Sequence, residues 1–173
     1  TATLVPLFGF PLLYLPIHIV WLELIIHPTA MLVFQSLPTG SLRPQGPQPP
    51  RGQFFDRQQW TKVIFSGLLL AVGVGGGFLY SLAERGGVLH GRAMALTVLL
   101  FGSASIAATL SGLRTRAARW ACGFTVLTTV ALIEWPDAGR WLELEPLHLG
   151  DWGWVLLLSA LLAGAVRQIT HSK

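Results

Sequence analysis

Long runs of residues without a formal charge alternate with short polar segments along this chain. Four such runs, of 21, 21, 14 and 15 residues, lie at residues 63–83, 93–113, 120–133 and 152–166. A helix needs about 20 predominantly apolar residues to cross a membrane. The two longer runs reach that length, and the two shorter runs reach it if Arg119 and Arg167 snorkel towards the membrane surface.

Prolines interrupt the N-terminal segment, at Pro6, Pro11 and Pro16. Proline cannot donate a backbone hydrogen bond, and it disfavours helix in the residue before it. Its fixed φ suits the first position of a helix. The pattern therefore predicts the end of one helix near residues 1–7, a turn at 9–15, and a helix that begins at Pro16.

Together these patterns predict an all-α membrane protein, a polytopic transmembrane helix bundle with a stub of one helix and five spanning helices. The spanning helices are expected at about residues 16–35, 61–83, 93–113, 118–134 and 151–168, and a loop rich in proline and glycine at about 36–60. Residues 1–173 are predicted to form a single transmembrane domain. Because the chain begins with Thr1 rather than Met and its first residues show no signal-peptide pattern, we expect it to be a fragment of a longer protein.

Composition supports the membrane interpretation. Hydrophobic residues make up 52% of the 173 residues and charged residues only 12%, whereas a soluble domain carries about 25% charged residues. The hydrophobic fraction also excludes a disordered chain. Cys122 is the only cysteine, which excludes a disulfide framework and a thiolate zinc cluster.

Basic residues are distributed unevenly between alternate loops. Nine of the twelve lie in residues 36–62, 114–119 and 167–173, and three lie in residues 84–92 and 134–151. The positive-inside rule places the first group on the cytoplasmic side, so we expect a cytoplasmic C-terminus in a bacterial plasma (inner) membrane. The basic residues are dispersed over three membrane-flanking segments, so no nucleic-acid partner is expected.

The first predicted span contains an acid near its middle, Glu23, and His27 follows four residues later on the same helix face. An acid at that depth costs at least ~2.5 kcal/mol on insertion scales, so it normally faces a partner or a water-filled cavity. Pro28 cannot donate to the carbonyl of Leu24, and a helix break there would free backbone oxygens beside the Thr29 hydroxyl. These residues form a candidate cation or proton site. The alternative is a Glu–His pair that only joins two helices.

Three other features suggest structural roles. His18 lies near the start of the first span and is expected at the membrane interface. Gly73 and Gly77 form a GxxxG pattern, which favours close packing of helices. His148 is expected to be solvated.

Residues 15–30, LPIHIVWLELIIHPTA, resemble the sixth membrane helix of cation-transporting P-type ATPases of the calcium-pump type, whose pattern is roughly LPxQxLWxNLxTDGxPA. Pro16, Trp21 and Leu24 match it directly. Residues 92–97, RAMALT, resemble the start of the family's eighth helix, and residues 147–158 resemble the entry to its tenth helix. The resemblance covers essentially the whole chain.

The resemblance implies the C-terminal membrane half of an ATP-driven cation pump, with cation ligands on a partly unwound helix. Glu23 stands at the position of the family's Asn, His27 at that of a ligand Asp, and Pro28 at that of the usual Gly. An imidazole is a poor calcium ligand, so this pair suits a transition metal or a proton-coupled cycle better. The identity of the transported cation is left open.

The resemblance also implies partners. They are the lipid bilayer and the remainder of the pump, meaning its N-terminal membrane helices and cytoplasmic domains. The phosphorylation motif DKTG and the nucleotide-binding domain do not occur in residues 1–173, so ATP and Mg²⁺ would belong to the full-length pump only. The alternatives are a non-catalytic helical membrane subunit, a small secondary carrier, or a degenerate pump without transport activity.

Overall fold

The computed structural model describes residues 3–35, 57–83 and 87–171, and most of the predicted 36–60 loop lies outside these ranges. The described residues contain seven α-helices and no strand. The helices are α1 Leu4–Leu7, α2 Pro16–Gln35, α3 Arg57–Ala83, α4 Gly87–Ser111, α5 Arg116–Glu134, α6 Pro136–Trp141 and α7 Leu149–His171.

Five of these helices are long and apolar enough to cross a membrane. The qualifying segments are Pro16–Val33, Val63–Ala83, Gly87–Ser111, Arg116–Glu134 and Leu149–Gln168. They correspond to the five predicted spans, so the expected all-α polytopic bundle is confirmed. The short helix α6 was not predicted. It begins at Pro136, whose fixed φ suits a first helical position.

Helix α4 forms the centre of the bundle, because it packs against α2, α3, α5 and α7. Every residue from 90 to 98 is buried. Small residues allow this enclosure. A Cβ atom added at Gly91 would lie 2.9 Å from the ring of Phe78, and one at Gly102 would lie 2.5 Å from Leu70.

The start of α4 differs from the prediction. The helix begins at Gly87 rather than near residue 93, and it contains Arg92, which was expected in a polar loop. Arg92 is buried, and its Nε donates to the carbonyl of Leu12 at 3.1 Å while Nη1 contacts the carboxylate of Glu143 at 2.6 Å. These partners allow a charged residue of α4 to be buried in the bundle. The sequence alone could not show these contacts.

We call the end of the bundle that contains this contact the Arg92 end. Helices α2, α4 and α7 begin there and α3 and α5 end there, as the hydrogen bonds Ser81–His90 (2.6 Å) and Trp152–Glu134 (3.0 Å) show. The acidic residues of the 134–151 segment therefore lie at one end of the bundle. The arginines of residues 114–119 lie at the opposite end, which agrees with the alternation predicted from charge.

The close contact of α3 with α4 predicts a specific sensitivity at Gly91. The Gly91→Ala substitution should lower the free energy of unfolding by about 1–3 kcal/mol, because its Cβ would push against the fully buried ring of Phe78. Thermal unfolding of the detergent-solubilised protein measures this. Gly75→Ala is the control, since a Cβ there meets nothing within 4 Å and alanine favours helix by about 0.8–1.0 kcal/mol. Equal stability of the two variants would contradict the packing described.

Candidate functional site

Glu23 and His27 lie together on one face of α2. The carboxylate Oε2 of Glu23 contacts Nδ1 of His27, and the two side chains are 60% and 69% exposed. The opposite face of α2 is buried against the rest of the chain; it carries His18, Leu22, Ile25, Thr29 and Val33. The Glu–His pair therefore lies on the face of α2 that the described residues of this chain leave uncovered.

The pair also lies near the middle of the span. At 1.5 Å per residue, Glu23 is about 10 Å and His27 about 16 Å from the start of a helix that is about 30 Å long. Both groups thus lie in the middle of a helix that is long and apolar enough to cross a membrane. At that depth an ionisable pair needs a polar partner or water.

The expected unwinding of this helix is not observed. Helix α2 is continuous from Pro16 to Gln35, with Pro28 inside it. Residues on both sides of Pro28 hold the helix in place, since Ile25 and Val33 are buried. Pro28 still has no N–H to donate, so the carbonyl of Leu24 lacks its usual helical partner and is available as an oxygen ligand.

Thr29 does not join the Glu–His pair. Its hydroxyl lies 2.9 Å from the hydroxyl of Thr125 on α5, and both residues are buried. The Thr125 hydroxyl donates to the carbonyl of Ala121 at 3.1 Å, so Thr29 acts as the donor between the two threonines. The structure thus gives Thr29 a helix-packing contact on the face away from Glu23 and His27.

His18, which the sequence predicts at the membrane interface, is fully buried within the protein at the start of α2. Its Nδ1 accepts a hydrogen bond from the backbone N–H of Leu15 at 3.2 Å, so Nε2 carries the proton and donates to the carbonyl of Leu142. These bonds join the start of α2 to the segment between α6 and α7. The side chain therefore acts as a structural connection at the Arg92 end.

A second group of polar residues was missed by the sequence analysis. His90, His148 and Asp151 converge at the Arg92 end, and each offers a ligand atom that lies within 4.8 Å of the other two. His148 is exposed, as expected, but its ring faces Asp151. His148 and Asp151 are three residues apart at the start of α7, a spacing that brings two side chains together in a helix. Nothing in the sequence indicated that His90 would lie beside them.

Comparison with known proteins identifies the family. A model of the family described as "Cation transporting ATPase, C-terminus" matches residues 11–169. The chain belongs to this family. A search of curated proteins found no match.

This membrane segment of a cation-transporting ATPase presents a carboxylate and an imidazole on one side of α2, and Pro28 offers no N–H to the nearby carbonyl of Leu24. Oxygen and nitrogen ligands of this kind can bind a cation that has lost part of its hydration shell. The mixed donor set favours transition metals over calcium, which prefers oxygen ligands.

The contact between Thr29 and Thr125 predicts a measurable coupling. In a double-mutant cycle, Thr29→Val and Thr125→Val should show an interaction energy of about 0.6 kcal/mol, and at most about 1.7 kcal/mol. Unfolding in detergent provides the measurement. Thr128→Val is the matched control on α5, because Thr128 is only half-buried and its hydroxyl bonds to carbonyls of its own helix, those of Phe124 and Thr125. Coupling of Thr29 to Thr128 rather than to Thr125 would show that the assigned contact is wrong.

Proposed function

We propose that this chain is the cation-translocating membrane segment of an ATP-driven pump, and that Glu23 and His27 are ligands of the transported cation or proton. The observation that carries the proposal is the position of this pair, at mid-depth on an uncovered face of α2. The family match supports the coarser part of the proposal, a segment of a cation-transporting ATPase.

The free-energy cost of placing Glu23 and His27 against lipid supports a protein partner on the exposed face of α2. A charged acid facing the centre of the bilayer costs about 2.5–3.5 kcal/mol on insertion scales. The inner face of α2 is occupied by α4 and α5, so Glu23 has no route to a partner there. We infer that the N-terminal membrane helices of the pump cover the Glu–His face and complete the ligand set.

The proposed site does not require an unwound helix. The side chains of Glu23 and His27, separated by one helical turn, supply two ligands, and the carbonyl of Leu24 supplies a third. Thr29 is left out of this ligand set because its hydroxyl is engaged with Thr125. The transported species that suits a carboxylate with an imidazole is a transition metal ion or a proton.

The charge distribution supports an orientation for the segment. We propose that the arginine-rich end, with residues 114–119, faces the cytoplasm of a bacterial cell and that the Arg92 end faces outward. The C-terminus would then be cytoplasmic. ATP and Mg²⁺ would bind to cytoplasmic domains of the full-length pump, which transmit phosphorylation to this segment.

The Glu23→Gln substitution in the full-length pump tests the ligand role. It removes the negative charge and keeps the size of the side chain. We expect the ion concentration for half-maximal ATPase stimulation to rise at least tenfold, which corresponds to about 1.4 kcal/mol. Stimulation by Zn²⁺, Mn²⁺, Co²⁺ and Ca²⁺ is measured separately, and pH is varied for the proton alternative. His27→Gln should weaken stimulation by the same ion.

Glu145→Gln provides the control, because Glu145 is exposed in the segment between α6 and α7. It should leave ion stimulation unchanged. Normal ion dependence in Glu23→Gln would remove Glu23 from the site. A wild-type protein that hydrolyses no ATP with any of these ions or at any pH would favour a degenerate pump or an accessory subunit.

A further inference from the structure

Three potential metal ligands meet at the Arg92 end, away from Glu23 and His27. His90 belongs to α4, His148 immediately precedes α7, and Asp151 lies in the first turn of α7. Nε2 of His90 and Nδ1 of His148 lie 3.1 Å and 3.3 Å from the same atom, Oδ2 of Asp151. Two helices distant in sequence thus bring two imidazoles and one carboxylate to one point.

The two histidine–aspartate contacts are a hydrogen bond and an ion pair, and their lengths are also close to the spacing of two ligands on one metal ion. Zinc holds imidazole nitrogen and carboxylate oxygen at about 2.0–2.1 Å, and two such ligands of a tetrahedral ion lie roughly 3.3–3.4 Å apart. Both histidine–aspartate distances are close to this value. The distance that must change is the one between the ligand nitrogens of the two histidines. His148 can change it by rotating, because its side chain is 81% exposed.

Ser81 supports the orientation of His90. Its hydroxyl lies 2.6 Å from Nδ1 of His90, and both residues are buried. In the structure Nε2–H of His90 donates to the Asp151 carboxylate, and Nδ1 accepts from the Ser81 hydroxyl. With a metal ion between His90 and Asp151, the proton would lie on Nδ1 and be donated to the Ser81 hydroxyl, and the Nε2 lone pair would face the ion. Histidines that ligate metals usually have such a partner on the other ring nitrogen, because it fixes the tautomer and the ring orientation.

Helix capping alone explains only part of this arrangement. The carboxylate of Asp151 accepts a hydrogen bond of 2.8 Å from the backbone N–H of His148, which is a normal interaction at a helix start. That interaction does not require the imidazole of His148 to face the carboxylate. It also does not require a buried histidine on α4, with its own hydroxyl partner, at the same oxygen.

There is room for further ligands beside the cluster. A cavity of about 350 Å³ adjoins the three residues and is also bordered by Tyr80, Gly150 and Trp154. Water can enter from the exposed side of His148 and fill a fourth coordination position, as in open zinc sites.

We propose that His90, His148 and Asp151 bind a divalent transition-metal ion of the zinc type, with Ser81 as the positioning residue of His90. The ion ties the start of α7 to α4 and is taken from the aqueous phase at the Arg92 end. This site is separate from the proposed transport ligands and does not depend on their role.

Zinc binding to the full-length protein, purified in detergent and stripped with a chelator, tests the proposal. Isothermal titration with ZnCl₂ should show one more bound Zn²⁺ in the wild type than in His148→Ala. His148 is the first choice because its side chain is 81% exposed. Ser81→Ala should keep the stoichiometry and weaken this Zn²⁺ by about 10–100-fold.

Two controls separate this site from others. Asp137→Asn removes an acid of the same segment that is exposed and paired with Arg140, and it should leave zinc binding unchanged. Glu23→Gln should keep the Zn²⁺ ion that His148→Ala loses, even if Glu23→Gln abolishes ion-stimulated ATPase activity. Failure of the transport proposal and failure of the zinc proposal are therefore distinguishable.

Three outcomes would overturn the proposal. The first is no zinc binding by the wild type, which would leave the cluster as a hydrogen-bonded helix cap. The second is His148→Ala binding the same number of Zn²⁺ ions with equal affinity. The third is X-ray absorption at the zinc edge without imidazole ligands at about 2.0–2.1 Å.

Discussion

The enclosure of α4 is the constraint on which the rest of the bundle depends. A helix surrounded by four others must have small residues where its neighbours approach, and it must pair any polar group that it carries. Both conditions are met between residues 90 and 98. Gly91 admits the ring of Phe78, Arg92 reaches Leu12 and Glu143, and the hydroxyl of Thr97 donates to the carbonyl of Ala93 at 2.7 Å. Since the partners of Arg92 come from before α2 and before α7, pairing this one charge also connects α4 to the segments that precede those two helices.

The requirement that polar groups within a membrane be paired also distinguishes the two faces of α2. On the inner face, His18 and Thr29 each find a partner within this chain, at Leu142 and at Thr125. On the outer face, Glu23 and His27 find only each other among the described residues. A pair that is satisfied only by its own helix can exchange its partners for an ion, whereas a buried hydrogen bond across two helices resists exchange. The proposed ligands of α2 therefore differ from its structural polar groups in the source of their partner: their own helix for Glu23 and His27, another part of the chain for His18 and Thr29.

The sequence predicted the number of spans, their approximate positions and the alternation of charge between the two ends. These properties depend on the length of apolar runs and on local charge, which are readable along the chain. The position of Arg92 was predicted wrongly because a charge was taken as the end of a helix, and only tertiary contacts show that Glu143 neutralises it. The convergence of His90 with Asp151 was missed for the same reason, since 61 residues separate the two. Pro28 was expected to break α2, but packing on both sides of it keeps the helix continuous.

The exposed faces of the spans differ in chemistry, and this difference decides what each face contacts. In the middle of α3 and α7 the exposed large side chains are apolar, including Leu68 and Val72 on α3 and Leu157 and Leu161 on α7. Lipid tails solvate such faces at no electrostatic cost, so they need no protein neighbour. The exposed face of α2 contains an acid and an imidazole at mid-depth, where lipid offers no hydrogen-bond partner. Of the outward faces in the described part of the chain, the α2 face is thus the one that gains most from a protein neighbour with polar groups of its own. A cation held between that neighbour and α2 would be enclosed by protein on both sides, which is the arrangement that a transport site at the centre of a membrane requires.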